Sequence, residues 1–109
     1  DRKNANGVSA MGLSENSSRI LSVEDHPAFS LLIEAMLLEI GIKEISSVAT
    51  IADALSELHR EIFDLVILDL QLGEDNGLIV GEYCAERGIP VIFSTGFGRV
   101  MLPVTHSTE

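Results

Sequence analysis

The sequence predicts an α/β fold in which a doubly wound parallel sheet carries helices on both faces. Short apolar runs typical of buried parallel strands alternate with segments whose apolar residues recur every three or four positions. The connections between these segments are short, which favours right-handed crossovers between parallel strands. Ligands bind to such sheets beyond the carboxyl ends of the strands, so we expect a functional site there.

The first eighteen residues differ in composition from the rest of the chain. Residues 1–18 are rich in Asn, Ser and Gly and contain few bulky apolar side chains. They therefore cannot bury enough surface to offset the entropy lost on ordering. We interpret residues 1–18 as a disordered tail or linker and expect residues 19–109 to form one domain.

The first strand and the first helix are predicted on either side of an acidic pair. Residues 19–23 form an apolar run that stops at Glu24 and Asp25. Pro27 suits the first turn of a helix, and Gly41 suits its C-terminal cap. The spacing of apolar residues between them predicts one apolar helix face, made of Phe29, Leu32, Ile33, Met36, Leu37 and Ile40.

A second strand and a second helix follow. Residues 43–48 form a weaker strand pattern. Thr50, with Asp53 three positions later, matches a capping box at the start of a helix that we expect to end near Arg60.

The remaining elements repeat this order and again place polar groups at strand ends. Residues 63–68 predict a buried third strand that terminates at Asp69. Residues 78–87 predict a third helix, stopped by a glycine. Residues 90–93 predict a fourth strand, and a hydroxyl residue, Thr95, lies just beyond it.

Composition excludes several classes of partner. Lys and Arg total 7 against 17 Asp and Glu, a formal net charge of −10, which disfavours binding to nucleic acid or to anionic membranes. No apolar run approaches the roughly 20 residues of a membrane-spanning helix. The chain has a single cysteine and therefore no internal disulfide. We expect a cytoplasmic protein.

Three carboxylates are expected to meet at the carboxyl edge of this sheet. Glu24, Asp25 and Asp69 all follow predicted strands. They would repel one another unless a cation lay among them, and hard oxygen ligands suit Mg²⁺. The hydroxyl of Thr95, at the neighbouring strand end, could donate a hydrogen bond to a phosphate oxygen.

These residues resemble the receiver domains of two-component response regulators. The resemblance extends over about residues 19–98 and implies a flavodoxin-like topology with strand order 2-1-3-4. Gly77, eight positions after the aspartate of the third strand, belongs to the pattern. The motifs that carry the resemblance are Val23-Glu24-Asp25-His26, Ile67-Leu68-Asp69-Leu70-Gln71-Leu72 and Val91-Ile92-Phe93-Ser94-Thr95-Gly96.

The resemblance implies a role for each of these residues. Asp69 would accept a phosphoryl group from a sensor histidine kinase or a phosphotransfer protein. Thr95 would be the switch hydroxyl, preferred over Ser94 because Thr95 directly precedes a glycine. The implied Mg²⁺ ligands are Glu24, Asp25, Asp69 and the backbone carbonyl of Gln71.

The chain departs from the family pattern after the fourth strand. Receiver domains continue through a fifth strand with a Lys-Pro pair and a last helix, which are missing here. The only lysines are Lys3 and Lys43, both before the fourth strand. We interpret the chain as a C-terminally incomplete receiver domain, although a natural variant would show the same pattern. The fourth strand would then be an exposed edge that favours a homodimer.

The leading functional prediction is a phosphoacceptor signalling domain rather than an enzyme. A pseudo-receiver that binds proteins without being phosphorylated is the alternative if the missing lysine is genuine. A phosphatase of the haloacid-dehalogenase type also uses a strand-end aspartate with Mg²⁺. That class requires a second aspartate two residues later, where this chain has Gln71.

Overall fold

The strands of this computed structural model form one sheet, and the structure describes residues 18–72, 77–94 and 101–104. The sheet has the order β2-β1-β3-β4-β5, with the first four strands parallel. The predicted α/β class and the strand order 2-1-3-4 are therefore confirmed. The strands are β1 (Arg19–Val23), β2 (Glu44–Val48), β3 (Leu65–Asp69), β4 (Val91–Ser94) and β5 (Met101–Val104).

Three helices and one helical turn connect the parallel strands. Thr50 accepts a hydrogen bond from the backbone N–H of Asp53 at 3.0 Å, which caps α2 at its predicted start. Gly88 ends α3 with a φ of 72°, a left-handed conformation that glycine adopts at little cost. The helices are α1 (Pro27–Glu39), α2 (Ile51–Arg60) and α3 (Leu78–Arg87), and the helical turn is Leu70–Leu72.

Alternate residues of the strands build separate cores on the two faces of the sheet. On one face α2 and α3 pack against the strands, and the buried residues there include Leu21, Val66 and Leu68. On the other face α1 packs against residues that include Ile20 and Ile67. Because successive strand residues point to opposite faces, the apolar residues of β1, β3 and β4 supply both cores.

The apolar face of α1 is narrower than the sequence predicted. Ile33 and Leu37 are buried against the sheet, whereas the side chains of Leu32, Met36 and Ile40 are 48%, 46% and 48% exposed. Among the described residues no second helix packs beside α1 on this face of the sheet. The spacing of three and four residues places these side chains on one broad side of the helix, and only the positions turned towards the sheet are covered.

The free edge predicted for the fourth strand is wrong. β5 pairs antiparallel with β4, with Val91 opposite Val104 and Ser94 opposite Met101. This strand runs opposite to the parallel fifth strand that the family resemblance implies, yet it occupies the same edge. It therefore removes the basis for predicting a homodimer through β4. Pro103 fits an outer strand because it cannot donate a hydrogen bond to a further neighbour.

No helix in the described part of the chain combines the length and the apolar character needed to cross a bilayer.

Candidate metal centre at the carboxyl edge of the sheet

The register of the central strands brings two acidic residues side by side. Val23 of β1 is paired with Leu68 of β3, so the residues that follow them, Glu24 and Asp69, are neighbours at the carboxyl edge. The backbone N–H of Glu24 donates to the carbonyl of Val48 at 2.9 Å, which extends the pairing of β1 with β2 by one residue. The position of Glu24 is therefore set by the sheet rather than by a flexible loop.

The three predicted carboxylates lie together. One oxygen each from Glu24, Asp25 and Asp69 lies within 4.8 Å of the others. The side chains of Glu24 and Asp69 are 4% and 3% exposed, whereas Asp25 is exposed. The cluster thus has two buried members and one that faces solvent, and a small ion can reach it from that open side.

Backbone N–H groups orient the two buried carboxylates. The N–H of His26 donates to Glu24 Oε2 at 3.1 Å, and the N–H of Gln71 donates to Asp69 Oδ1 at 3.1 Å. Each bond joins residues two positions apart, so the turn after each strand orients the acid that precedes it. Glu24 Oε1 is buried and has no hydrogen-bond partner.

Burial and neighbouring negative charges both raise the pKa of the Glu24 carboxyl. Desolvation raises the pKa of the Glu24 carboxyl above its ordinary value, and the neighbouring carboxylates of Asp69 and Asp25 raise it further. The hydrogen bond from the His26 N–H lowers the pKa in part. The site without a metal ion therefore carries unfavourable negative charge at neutral pH.

The residues of this cluster fit a divalent cation. A buried carboxylate oxygen without a partner is costly, and a cation within reach would compensate it. The ligands are all oxygen, as Mg²⁺ prefers, and the exposed side of the cluster allows the ion to keep several waters. Glu24, Asp25 and Asp69 are the side chains that would hold it.

The described basic residues lie away from this cluster. Arg19 and Lys43 are at the starts of strands, and Arg60 and Arg87 are at the ends of helices. In a sheet of parallel strands, strand starts and helix ends lie at the same edge, opposite the carboxylates. Within the described ranges, no lysine or arginine therefore balances the acidic cluster.

Of the two remaining predicted site residues, Gln71 and Thr95, the structure describes only Gln71. Gln71 lies in the helical turn after β3, where its N–H bonds to Asp69, and the metal-binding role of its carbonyl stays a prediction. Thr95 lies outside the described residues, directly after the end of β4. Its role as the switch hydroxyl also stays a prediction.

Sequence reasoning missed a cavity beside the carboxylates. It has a volume of about 440 Å³, and Asp25 and Gln71 belong both to its lining and to the site. Most of its other walls come from the loop after β2 and the first turn of α2, where the sequence predicted a helix cap at Thr50 but no binding site. The remaining lining residues are Ala49, Thr50, Ile51, Ala52 and Leu72.

Comparison with known proteins identifies the family of this chain. Residues 20–105 match the family described as the response regulator receiver domain. The chain therefore belongs to that family, which consists of signalling domains of two-component systems.

Individual relatives include both regulators and a sensor kinase. The alginate biosynthesis transcriptional regulatory protein AlgB of Pseudomonas syringae pv. tomato is 41% identical over 66 residues, 61% of this chain and 14% of AlgB. The sensor histidine kinase GacS of Pseudomonas protegens is 40% identical over 84 residues, 72% of this chain and 9% of GacS. The chain thus spans only a small part of each of these relatives.

A solved structure shares the fold. The PhyR stress response regulator superposes with a TM-score of 0.62 at 25% identity, covering 85% of this chain and 38% of the PhyR chain. Its similarity extends over more of the chain than the alignment with AlgB does.

Proposed function

We propose that this receiver domain accepts a phosphoryl group on Asp69 from the phosphohistidine of a sensor histidine kinase or phosphotransfer protein. Mg²⁺ would be held by Glu24, Asp25, Asp69 and the backbone carbonyl of Gln71. The single observation that carries the proposal is the cluster of three carboxylate oxygens within 4.8 Å of one another, two of them from buried side chains. Such a cluster is costly unless it serves a cation.

The geometry suits Asp69 as the nucleophile. It ends β3, is buried, and accepts a hydrogen bond from the Gln71 N–H on Oδ1, which holds the carboxylate in one orientation. Its second oxygen would attack phosphorus while the bond from phosphorus to the donor nitrogen breaks. When bound, Mg²⁺ neutralises negative charge on the carboxylates and on the phosphoryl oxygens.

Thr95 would respond to phosphorylation of Asp69 by forming a new hydrogen bond. Ser94 is paired with Asp69 across β3 and β4, so β4 ends beside the phosphoacceptor, and Thr95 is the next residue in the sequence. A hydrogen bond from the Thr95 hydroxyl to a phosphoryl oxygen would draw the chain after β4 towards Asp69. This change in the surface would alter binding to a partner, which makes the domain a switch rather than an enzyme.

The net charge of the chain and its single cysteine support a cytoplasmic location without direct contact to nucleic acid or to an anionic membrane. A net charge of −10 makes direct contact with nucleic acid or an anionic membrane unfavourable. Cys84 is a buried free thiol, which agrees with the reducing environment of the cytoplasm.

Intact-mass analysis after incubation with phosphoramidate and Mg²⁺ tests the proposal. We expect one phosphoryl adduct that needs Mg²⁺ and is lost in Asp69→Asn. Asp53→Asn is the matched control, because Asp53 is an exposed aspartate in the first turn of α2 and should still label. An adduct that survives Asp69→Asn would contradict the assignment, and continuous turnover of phosphate esters would indicate a phosphatase instead.

A pseudo-receiver that acts only by binding proteins is the second candidate. The observation that favours it is the position of the described lysines and arginines at the opposite edge of the sheet. If no phosphodonor labels the wild-type chain while Mg²⁺ still binds, this second function accounts for the carboxylate cluster better than the first.

A further inference from the structure

The side of α1 that faces away from the sheet carries an unusual concentration of exposed apolar side chains. Eight large apolar side chains are exposed among the described residues, and five of them lie in α1 or at its C-cap. Single exposed apolar residues are normal, but a contiguous apolar patch marks a site of interaction. The five residues are Leu31, Leu32, Met36, Leu38 and Ile40, and the exposed fractions of Leu31 and Leu38 reach 67% and 58%.

This outer side of α1 carries very little charge. The helix contains only two charged residues, Glu34 and Glu39. The Glu34 carboxylate accepts a hydrogen bond from the Ser47 hydroxyl of β2 at 2.6 Å, so it is turned towards the sheet. Glu39 is exposed, but it lies in the last turn. The middle of the outer side is therefore apolar, and only a partner with apolar groups can cover it favourably.

Small and large residues alternate along the outer side in a way that suits a second helix. Ala28 and Ala35 are exposed and lie seven residues apart, nearly two turns, so they fall on one line along the helix. Leu31 and Leu32 lie to either side of that line. Small residues flanked by large ones allow two helices to approach closely with their side chains interdigitated.

The two ends of α1 favour an antiparallel partner. The N-cap residue His26 makes no side-chain capping bond, the first turn has no acidic residue, and the last turn has no basic residue. The partial charges at both helix ends are therefore not compensated by side chains of α1. In an antiparallel pair each helix end lies beside the opposite end of its neighbour, and Glu39 comes near the start of the other helix. Two copies of α1 satisfy this relation twice by symmetry.

We propose that two copies of this chain associate through the outer sides of their α1 helices, packed antiparallel about a twofold axis. Residues 1–17 and 105–109 contain few bulky apolar side chains, so they are poor candidates to cover this surface. A strip one helix wide is a small interface. We therefore expect weak association, with a dissociation constant on the order of 100 μM.

Salt distinguishes this apolar contact from association driven by charge. Each copy carries a net charge of −10, so two copies repel at long range, and salt screens that repulsion. Association through α1 should therefore strengthen when NaCl is raised from about 50 mM to about 500 mM. An interface held by ion pairs would weaken over the same range.

Sedimentation velocity of the 109-residue chain, at concentrations that bracket the expected dissociation constant, tests the proposal. Leu31→Arg places a charge on the outer side of α1 and should raise the dissociation constant by about tenfold or more. Leu78→Arg is the matched control, because Leu78 is 70% exposed in α3 and the substitution changes the net charge equally. Both side chains are exposed, so both variants should fold, and circular dichroism checks this.

A disulfide at the expected axis gives a second readout. Ala35 lies near the middle of α1, so Ala35→Cys should form a disulfide-linked dimer under mild oxidation. Ala52→Cys is the control, because Ala52 is an exposed alanine in the first turn of α2 and should not cross-link. The native thiol of Cys84 is buried and does not compete.

A chain that stays monomeric well above the expected dissociation constant would overturn the inference. A dimer that weakens with salt, that responds equally to Leu31→Arg and Leu78→Arg, or that cross-links as readily through Ala52→Cys would overturn it as well. None of these measurements requires phosphorylation of Asp69, so this inference and the proposed function succeed or fail separately.

Discussion

Replacing Glu24 by glutamine removes one charge from the carboxylate cluster while preserving its shape. Unit charges on oxygens 4.8 Å apart repel by about 3 kcal/mol at an effective dielectric constant near 20, and by about 1 kcal/mol in bulk water. Asp69 is buried and Asp25 is exposed, so the two repulsions on Glu24 lie near these two limits. The glutamine oxygen can still accept the His26 N–H. The two repulsions together come to about 4 kcal/mol, so we expect Glu24→Gln to be more stable than wild type by up to that amount at pH 8 without divalent cations.

The pH dependence of this difference follows from the raised pKa of Glu24. Burial, with the carboxylates of Asp69 and Asp25, makes the folded state favour the protonated form. Below the ordinary pKa of 4.5 the side chain is neutral in both folded and unfolded states, and this contribution to stability is fully present. It is lost as pH rises through the raised pKa of the folded state. The advantage of glutamine should therefore be near zero at low pH and grow as pH rises.

Mg²⁺ should reduce the stability advantage of Glu24→Gln over wild type. A ligand at a concentration one hundred times its dissociation constant stabilises the folded state by about 3 kcal/mol. Wild type should gain this amount, and Glu24→Gln should gain clearly less because one ligand is lost. The measurement is urea denaturation in EDTA and in excess Mg²⁺. Glu39→Gln serves as the control, because Glu39 is exposed at the end of α1, away from the cluster.

Two results would refute this reasoning. If Glu24→Gln were less stable than wild type in EDTA at pH 8, the cluster would not be a source of repulsion. If Mg²⁺ stabilised both proteins equally, Glu24 would not contribute to holding the ion.

Two other buried groups give simpler predictions. The Ser22 hydroxyl is buried without a hydrogen-bond partner. Ser22→Ala should therefore raise the free energy of unfolding, measured by urea denaturation, by about 1 kcal/mol. A fall of that size in the free energy of unfolding would show that the hydroxyl makes a hydrogen bond. Burial raises the pKa of the Cys84 thiol to about 11, so a thiol-specific reagent at pH 7 should label the native chain only as fast as it unfolds. Rapid labelling of folded protein would contradict the burial of Cys84.

Predicted strand and helix positions agree closely with the structure because local signals mark them. Thr50 caps α2 and a left-handed glycine ends α3, both where the sequence places them. The third strand shows where such signals are ambiguous. It was predicted from Phe63, which is buried like a strand residue, but the observed strand begins at Leu65 and includes Asp69. An apolar run indicates which residues are buried, whereas the pairing of backbone groups defines where the strand begins and ends.

The sequence by itself determined the class of fold, the order of its elements and the three acids at the strand ends. These features depend on neighbours within a few positions along the chain, such as a proline at a helix start or a carboxylate after an apolar run. The tertiary structure decided which apolar residues of α1 are covered, that β5 pairs with β4, and that a cavity lies beside Asp25. These features arise from contacts between segments distant along the chain, and such contacts leave no periodic pattern in the sequence.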